Sequence, residues 1–214
     1  MGDEPYAALL PWVVFAVVDR GHGDGPFWAA IGALITALTL IVTSPRLRSR
    51  SPRESRNVIL LGAVGWFAAL ALADAVDGSN AGFVAHDGRV LALAGFAVIA
   101  FGSLAFTPAL AYYTRPHVRS SRWEDRSFRR LNTRITAIWG ATFAAIAVSH
   151  ALAGSLNAAD STTVFYWVVP IALAAIAAHR SRQIWDEFHD DDEFAPDPIR
   201  GLSLDWQDPS LEID

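Results

Sequence analysis

The sequence predicts an all-α integral membrane protein, a bundle of about six transmembrane helices followed by an acidic cytoplasmic tail. Hydrophobic residues make up 52% of the 214 positions. They occur in nearly charge-free blocks of about 15 to 20 residues, long enough to cross a hydrocarbon core of about 30 Å at about 1.5 Å per helical residue. Arginines collect in alternate loops between these blocks, as in multi-pass membrane proteins.

Six apolar segments follow one another along the chain, at residues 6–18, 26–42, 58–76, 90–113, 135–152 and 163–178. The first is short and contains Pro11, so five spans is the alternative count. The fourth and sixth contain Pro108 and Pro170. A proline removes a backbone donor and frees a carbonyl. We therefore expect a kink in both helices.

The six segments also group into three helical hairpins, each with a polar turn at the same end of the bundle. Such a repeat would relate the hairpins about the membrane normal. Residues 1–185 are predicted to form the bundle, and residues 186–214 the tail, which holds 11 acidic residues and one arginine. That composition is typical of disorder, although apolar residues such as Trp206 provide anchors for docking onto the arginine loops or a cytosolic partner.

The orientation of the bundle follows from its charged loops. Arginines dominate residues 46–56 and 115–134, whereas the opposite loops hold only Arg20 and Arg89 beside several aspartates. The positive-inside rule places the arginine loops and both termini in the cytoplasm. The first apolar block follows Asp3 and Glu4 rather than a positive region, so we expect it to remain a membrane segment. All 17 basic residues are arginine. This composition suggests the plasma membrane of a prokaryote.

Several kinds of chemistry are excluded by composition. The chain has no cysteine, which excludes disulfides, iron–sulfur clusters and thiolate metal sites. It has no lysine either, which excludes a Schiff base to retinal or to a carbonyl substrate. None of the histidines lies at the centre of a predicted helix, where a haem would need a pair. No catalytic residue, metal or other cofactor is predicted, and no nucleic-acid partner.

The arginine-rich segment between the fourth and fifth spans is the first candidate binding site. On a helix its seven arginines fall within an arc of about 140°. We interpret it as an amphipathic helix on the inner leaflet that binds anionic lipid or a phosphorylated ligand. The alternative is that these arginines only fix the topology. They are Arg115, Arg119, Arg122, Arg126, Arg129, Arg130 and Arg134.

The second candidate site is a set of ionisable residues at the outer ends of three helices. Asp19, Asp74 and His150 end the first, third and fifth segments, and Asp74 lies inside an apolar run. Ionisable groups at membrane depth usually face a partner or water. If these helices pack together, the three side chains form an outward-facing proton, cation or solute site. The alternative is that all three are solvated at the interface. Ser103 with His150 is a weaker pair, because its flanking residues lack the context of intramembrane serine proteases.

Residues 101–147, from the end of the fourth segment into the fifth, resemble a segment of small, uncharacterised prokaryotic membrane proteins. The similarity covers about a quarter of the chain; here Phe-Thr-Pro and Tyr-Thr-Arg replace Pro-Phe-Thr-like and Tyr-Ala-Arg-like elements. More loosely, the apolar start resembles intracellular septation protein A, an inner-membrane protein of envelope biogenesis. Neither family brings a catalytic residue to transfer. The matching residues are Pro108, Tyr113, Arg115, Trp123, Arg130, Asn132, Arg134, Thr136, Trp139 and Gly140.

These observations favour a non-enzymatic membrane protein that supports or organises the cell envelope or a membrane complex. Its expected partners are the bilayer, with anionic lipids at the cytoplasmic face, and a protein bound through the acidic tail; a homo-oligomer is an alternative assembly. Two other functions stay open. One is a small transporter or channel for a proton, cation or small solute, and the other is a membrane enzyme acting on lipid head groups.

Overall fold

The described part of the chain is helical and contains no strand. The structure, a computed structural model, describes residues 5–19, 25–43, 57–77, 83–115, 118, 123–156 and 163–190. A 3₁₀ turn, Pro5–Leu9, leads into α1, and a π-helical turn, Val164–Val168, leads into α7. The helices are α1 Leu10–Val18, α2 Gly25–Thr43, α3 Val58–Asp77, α4 Phe83–Ser103, α5 Ala111–Thr114, α6 Arg126–Leu156 and α7 Val169–Asp190.

Four of these helices are long and apolar enough to cross a membrane. They are α2, α3, α6 and α7 with its π-helical turn, and the apolar stretch Ala7–Val18 is shorter. Many large apolar side chains of these helices point outward, including Ile35, Leu72 and Ile176. A soluble monomer rarely exposes so extensive an apolar surface. The outer surface of the described bundle is therefore suited to lipid.

Three predicted segments have different ends in the structure. The prediction of one helix over 90–113 is wrong, because α4 begins at Phe83, ends at Ser103, and is followed by turns and the short α5. The fifth segment begins nine residues earlier than predicted, at Arg126, so its arginines belong to the same helix as the span. Likewise α7 continues to Asp190, so the first five residues of the predicted tail are helical. Residues 191–214 lie outside the described residues.

Consecutive helices pack side by side. The pairs α1–α2, α3–α4 and α6–α7 are in contact, as the three predicted hairpins require, and α2–α3 and α4–α6 join them. Trp12 of α1 lies at the centre, with its ring 5.5 Å from that of Phe67 and 5.0 Å from that of Phe96. Its indole Nε1 donates to the Ala92 carbonyl at 3.1 Å. This bond fixes α1, the shortest apolar helix, against α4.

Small residues bring the helices close together. Ala29, Ala30, Ala33 and Ala37 form a fully buried face on α2. At Gly140 of α6 a Cβ atom would lie 3.2 Å from the ring of Phe101 on α4. Helices in membranes pack through such residues because apolar side chains gain little by leaving lipid. The alanine face and Gly140 therefore suit a bundle that is stabilised by close packing.

Candidate functional sites at the two ends of the bundle

A buried carboxylate, Asp19, pairs with a partly exposed arginine, Arg89, at one end of the bundle, here called the Asp19 end. Asp19 caps the C-terminus of α1 and is 4% exposed. Arg89 Nε lies 3.5 Å from the Asp19 carboxylate and donates to the Asp19 carbonyl oxygen at 3.1 Å, and Nη2 donates to the same carbonyl. A cation that bonds a terminal carbonyl stabilises a helix C-terminus. Arg89 thus ties α4 to the end of α1.

His150 and Tyr166 extend this cluster onto α6 and the π-helical turn. The Arg89 guanidinium lies 5.6 Å from the centre of the Tyr166 ring, and the His150 ring meets that ring edge-on at 4.7 Å. Ser149 fixes the π-helical turn by donating to the Phe165 carbonyl at 2.8 Å. The turn directly precedes Pro170, where the sequence predicts a kink. The widened turn places Tyr166 between Arg89 and His150.

Arg89 and His150 border a cavity of about 290 Å³, here called the outer cavity because the Asp19 end is predicted to face outward. Its walls are mostly apolar side chains of α1, α4, α6 and α7, such as Phe15 and Ile171. His150 Nδ1 is buried and has no hydrogen-bond partner among the described residues. The chemistry available here is therefore a guanidinium and an imidazole beside an apolar space.

The three residues of the predicted outer site are separated by this arrangement. Asp19 and His150 both lie near Arg89, at the same end of the bundle. Asp74 is half-buried on α3, and α3 contributes nothing to the walls of the outer cavity. Arg89 and Tyr166 were not among the predicted site residues. Their signal in the sequence was an arginine and a tyrosine beside apolar runs, at the same predicted end as Asp19.

At the opposite end of the bundle, here called the arginine end, the chain turns between the end of α4 and α5. These residues, 103–115, are here called the corner. Ser103, the last residue of α4, donates to the Ala100 carbonyl at 2.6 Å and accepts from the Ala109 amide at 2.9 Å. This contact turns the chain just where Pro108 removes a backbone donor. Ser103 thus has a structural role at the arginine end, whereas His150 lies at the Asp19 end, so the two do not form a catalytic pair.

Hydrogen bonds between polar side chains hold the corner against α6 and against the start of α3. Thr114 donates to Asn132 Oδ1 at 2.6 Å, and Asn132 Nδ2 donates to the Phe128 carbonyl at 2.8 Å. Asn57 Nδ2 donates to the Tyr113 hydroxyl at 2.6 Å. Asn132 and Asn57 are almost fully buried. Satisfied buried networks of this kind fix one arrangement.

Arg115 and Trp123 close the corner on its outer side. The Trp123 indole donates to the carbonyls of Arg115 and Val118 at 3.1 and 3.0 Å. The Arg115 guanidinium lies 5.2 Å from the centre of the Trp123 ring, and burial lowers its pKa. The side chain stays cationic, because the pKa of arginine starts far above neutral. A cleft of about 370 Å³, whose walls include Arg115, Arg129, Trp123 and Asn132, opens beside it.

The exposed arginines occupy one side of the first turns of α6. The opposite side packs Phe128, Leu131 and Ile135 against Phe188 of α7. The predicted single amphipathic helix over 115–134 is not formed, since α5 ends at Thr114 and α6 begins at Arg126. Arg119 and Arg122 lie outside the described residues. The exposed members, here called the arginine surface, are Arg126, Arg129, Arg130 and Arg134.

We expect Asn57→Ala to lower the free energy of unfolding in detergent by about 2 kcal/mol. Asn57 Oδ1 accepts from the Leu60 amide at 3.2 Å and so caps α3, and its Nδ2 bonds Tyr113. Both contacts vanish in the variant. Tyr113→Phe removes only the second and should cost about 1 kcal/mol. Thermal unfolding followed by circular dichroism measures both; equal losses would contradict the capping role.

In comparisons with known proteins, no family model, curated protein or solved structure matches the chain.

Proposed function

We propose that this chain is a non-enzymatic integral membrane protein of a prokaryotic plasma membrane that organises an envelope or membrane complex. Four apolar helices support membrane integration. Ala7–Val18 and α4 add two further spans in the proposed topology, in which the arginine end faces the cytoplasm. The envelope role is carried over from the loose resemblance of the apolar start to an envelope-biogenesis family.

The observation that carries the proposal is a basic surface held on a fixed corner. The arginine surface is exposed, while the other side of the same helix is buried against α7. Ser103, Thr114 and Asn132 fix the neighbouring chain by direct hydrogen bonds. The helix backbone that carries these arginines is thus held in place before a partner arrives, which lowers part of the cost of binding. A topology signal alone needs positive charge but no such fixed framework.

Anionic lipid head groups are the first partner proposed for this surface. Each arginine near an anionic leaflet contributes about 1 kcal/mol. Guanidinium groups bind phosphate by paired hydrogen bonds. The cleft is lined by Arg115 and Arg129, which would give a phosphate group two cations, although the Glu124 carboxylate also lies in its walls. The arginine surface would then anchor the protein in anionic regions of the inner leaflet.

A cytosolic protein is the second partner proposed, bound through residues 191–214. This segment combines acidic residues with apolar ones, including Leu202, Trp206 and Ile213. Since α7 continues to Asp190 and buries Phe188, a truncation after Trp185 would remove part of the packed bundle. A deletion that starts at residue 191 leaves that packing intact and tests the tail alone.

Mass spectrometry of the protein purified gently from its native membrane tests the proposal. We expect a stoichiometric protein partner that is lost when residues 191–214 are deleted. We also expect enrichment of anionic lipids that falls in the variant carrying Arg126→Gln, Arg129→Gln and Arg130→Gln. The variant Arg180→Gln, with a single exposed arginine changed outside the surface, serves as control. A protein that retains neither a partner nor anionic lipid would refute the organising role.

A transport function is the second candidate, and the outer cavity favours it. His150 Nδ1 is buried at this cavity without a partner among the described residues. Arg89 shields the Asp19 carboxylate, which disfavours a cation at that position. Proton or solute flux into proteoliposomes, measured for the wild type, Asp74→Asn and His150→Gln, decides the matter. Flux that either substitution abolishes would replace the organising role with transport.

A further inference from the structure

Helix α7, the sixth predicted span, leaves a gap between itself and the rest of the bundle. α7 packs mainly on α6, and only 6% of its apolar window is buried. Towards the arginine end this gap widens into an inner cavity of about 330 Å³. Its walls come from the 3₁₀ turn that leads into α1, from α3, α4, α5 and α6, and from α7. The inner cavity thus lies where the lipid-facing helix meets the rest of the bundle.

The walls of the inner cavity are mostly apolar. Tyr113 and Thr114 also line it, but their hydroxyls are hydrogen-bonded to Asn57 and Asn132. Ile59, Phe96, Ile135 and Trp139 form much of the lining. Water is not suited to such a space, because a buried water needs two to four polar partners. An empty cavity would forfeit the contacts of its lining atoms. Within a bilayer, hydrocarbon is the abundant material that fills an apolar gap between helices.

The polar edge of the inner cavity points to the head group of its occupant. Ser181 and Arg182 of α7 line this edge, and Arg182 is exposed. Ser181 Oγ is buried and has no hydrogen-bond partner among the described residues. Leaving a buried hydroxyl unpaired is unfavourable. A hydroxyl donor next to a guanidinium matches the oxygen atoms of a phosphate group.

We propose that the inner cavity binds one acyl chain of an anionic phospholipid from the surrounding bilayer, with its phosphate at Ser181 and Arg182. This inference rests on the proposed membrane location but uses a different surface, since neither residue belongs to the arginine surface of α6. The bound lipid fills the space between α7 and α1 and holds α7 onto the bundle.

Quenching of tryptophan fluorescence by a brominated phospholipid tests this site, because Trp139 and Trp185 line the cavity. The purified full chain in detergent is titrated with phosphatidylglycerol whose acyl chain carries bromine. We expect saturable quenching that Ala178→Phe removes, since Ala178 faces the cavity. Ala175→Phe places the same ring on the exposed side of α7 and should leave the quenching intact.

Two arginine variants test the head group without adding bulk. Arg182→Gln should weaken phosphatidylglycerol binding about tenfold, the loss of one charge-assisted hydrogen bond. Arg180→Gln, which removes an exposed arginine bonded to Gln183, should not. The wild type should bind brominated phosphatidylcholine more weakly than brominated phosphatidylglycerol. Arg182→Gln should bind the two lipids equally well.

Three results would overturn the proposal. The first is equal quenching in Ala178→Phe and Ala175→Phe, and the second is no preference between the two lipids in the wild type. The third is tighter lipid binding after deletion of residues 191–214, which would make the acidic tail the occupant. The triple variant Arg126→Gln, Arg129→Gln and Arg130→Gln separates this proposal from the proposed function. It should lose the enrichment of anionic lipids expected for the arginine surface but keep the saturable quenching at the inner cavity.

Discussion

We expect Arg89→Gln to lower the free energy of unfolding by about 3 kcal/mol, because it removes a cation that lies against a buried carboxylate. Arg89 lies beside the Asp19 carboxylate and also bonds the terminal carbonyl of α1. The Asp19 side chain is 5% exposed, so water cannot replace the guanidinium. Thermal unfolding of the purified protein in detergent, followed by circular dichroism, measures the loss.

Two further variants show whether the loss comes from the charge pair. The double variant Asp19→Asn with Arg89→Gln should lose less stability than the sum of its two single variants, because the two residues are in contact. Arg180→Gln removes an exposed arginine and should change stability by less than about 0.5 kcal/mol. If Arg89→Gln were as stable as Arg180→Gln, the Asp19–Arg89 pair would contribute nothing measurable to the free energy of unfolding.

The second large effect is expected for Gly95→Ala, which should lower the free energy of unfolding by about 3 kcal/mol. A Cβ atom at this position would overlap the indole ring of Trp66 on α3. The ring would have to move, and its Nε1 would lose the bond to the Leu91 carbonyl at 3.1 Å. The variant therefore combines overpacking with a broken hydrogen bond at the α3–α4 contact.

Gly102→Ala is the matched control, because Gly102 lies on the same helix and a Cβ there meets nothing within 4 Å. We expect this change to be neutral or slightly stabilising, since alanine favours a helix over glycine by up to about 1 kcal/mol. Indistinguishable unfolding curves for the two alanine variants would show that Trp66 does not pack on Gly95 as described.

Helix positions were predictable wherever apolar blocks ended in charged loops. The predicted limits 26–42 and 58–76 differ from α2 and α3 by one residue at most. The predicted end of the fourth segment was wrong because the apolar run continues through the corner. Ser103 and Pro108 end the helix there by a hydrogen bond and a missing donor, and hydrophobicity does not register either effect. Residues 126–134 were predicted to be helical, but as part of a separate helix on the membrane surface. Hydrophobicity did not show that they continue the fifth span, with Phe128, Leu131 and Ile135 packed against Phe188 of α7.

The candidate sites were only partly predictable, because a sequence shows charges but not their partners. Asp19 and His150 stood out as ionisable groups at helix ends, and they do lie at one end of the bundle. Arg89, which pairs with Asp19, was counted as a loop residue because helix α4 begins earlier than its apolar run. The π-helical turn that places Tyr166 beside His150 has no clear pattern in the sequence. Ser181 gains its interest only from the cavity.

Cysteine labelling of intact cells tests the proposed membrane topology most directly. The chain has no cysteine of its own, so Ser51→Cys, Ser79→Cys, Ser121→Cys and Ser161→Cys each provide a single site for a membrane-impermeant maleimide. Six spans predict labelling from outside at positions 79 and 161, and labelling at 51 and 121 only after the membrane is opened. Outside labelling at both 79 and 121, with protection at 51 and 161, would mean that only the four longest apolar helices cross, and would contradict the six-span bundle.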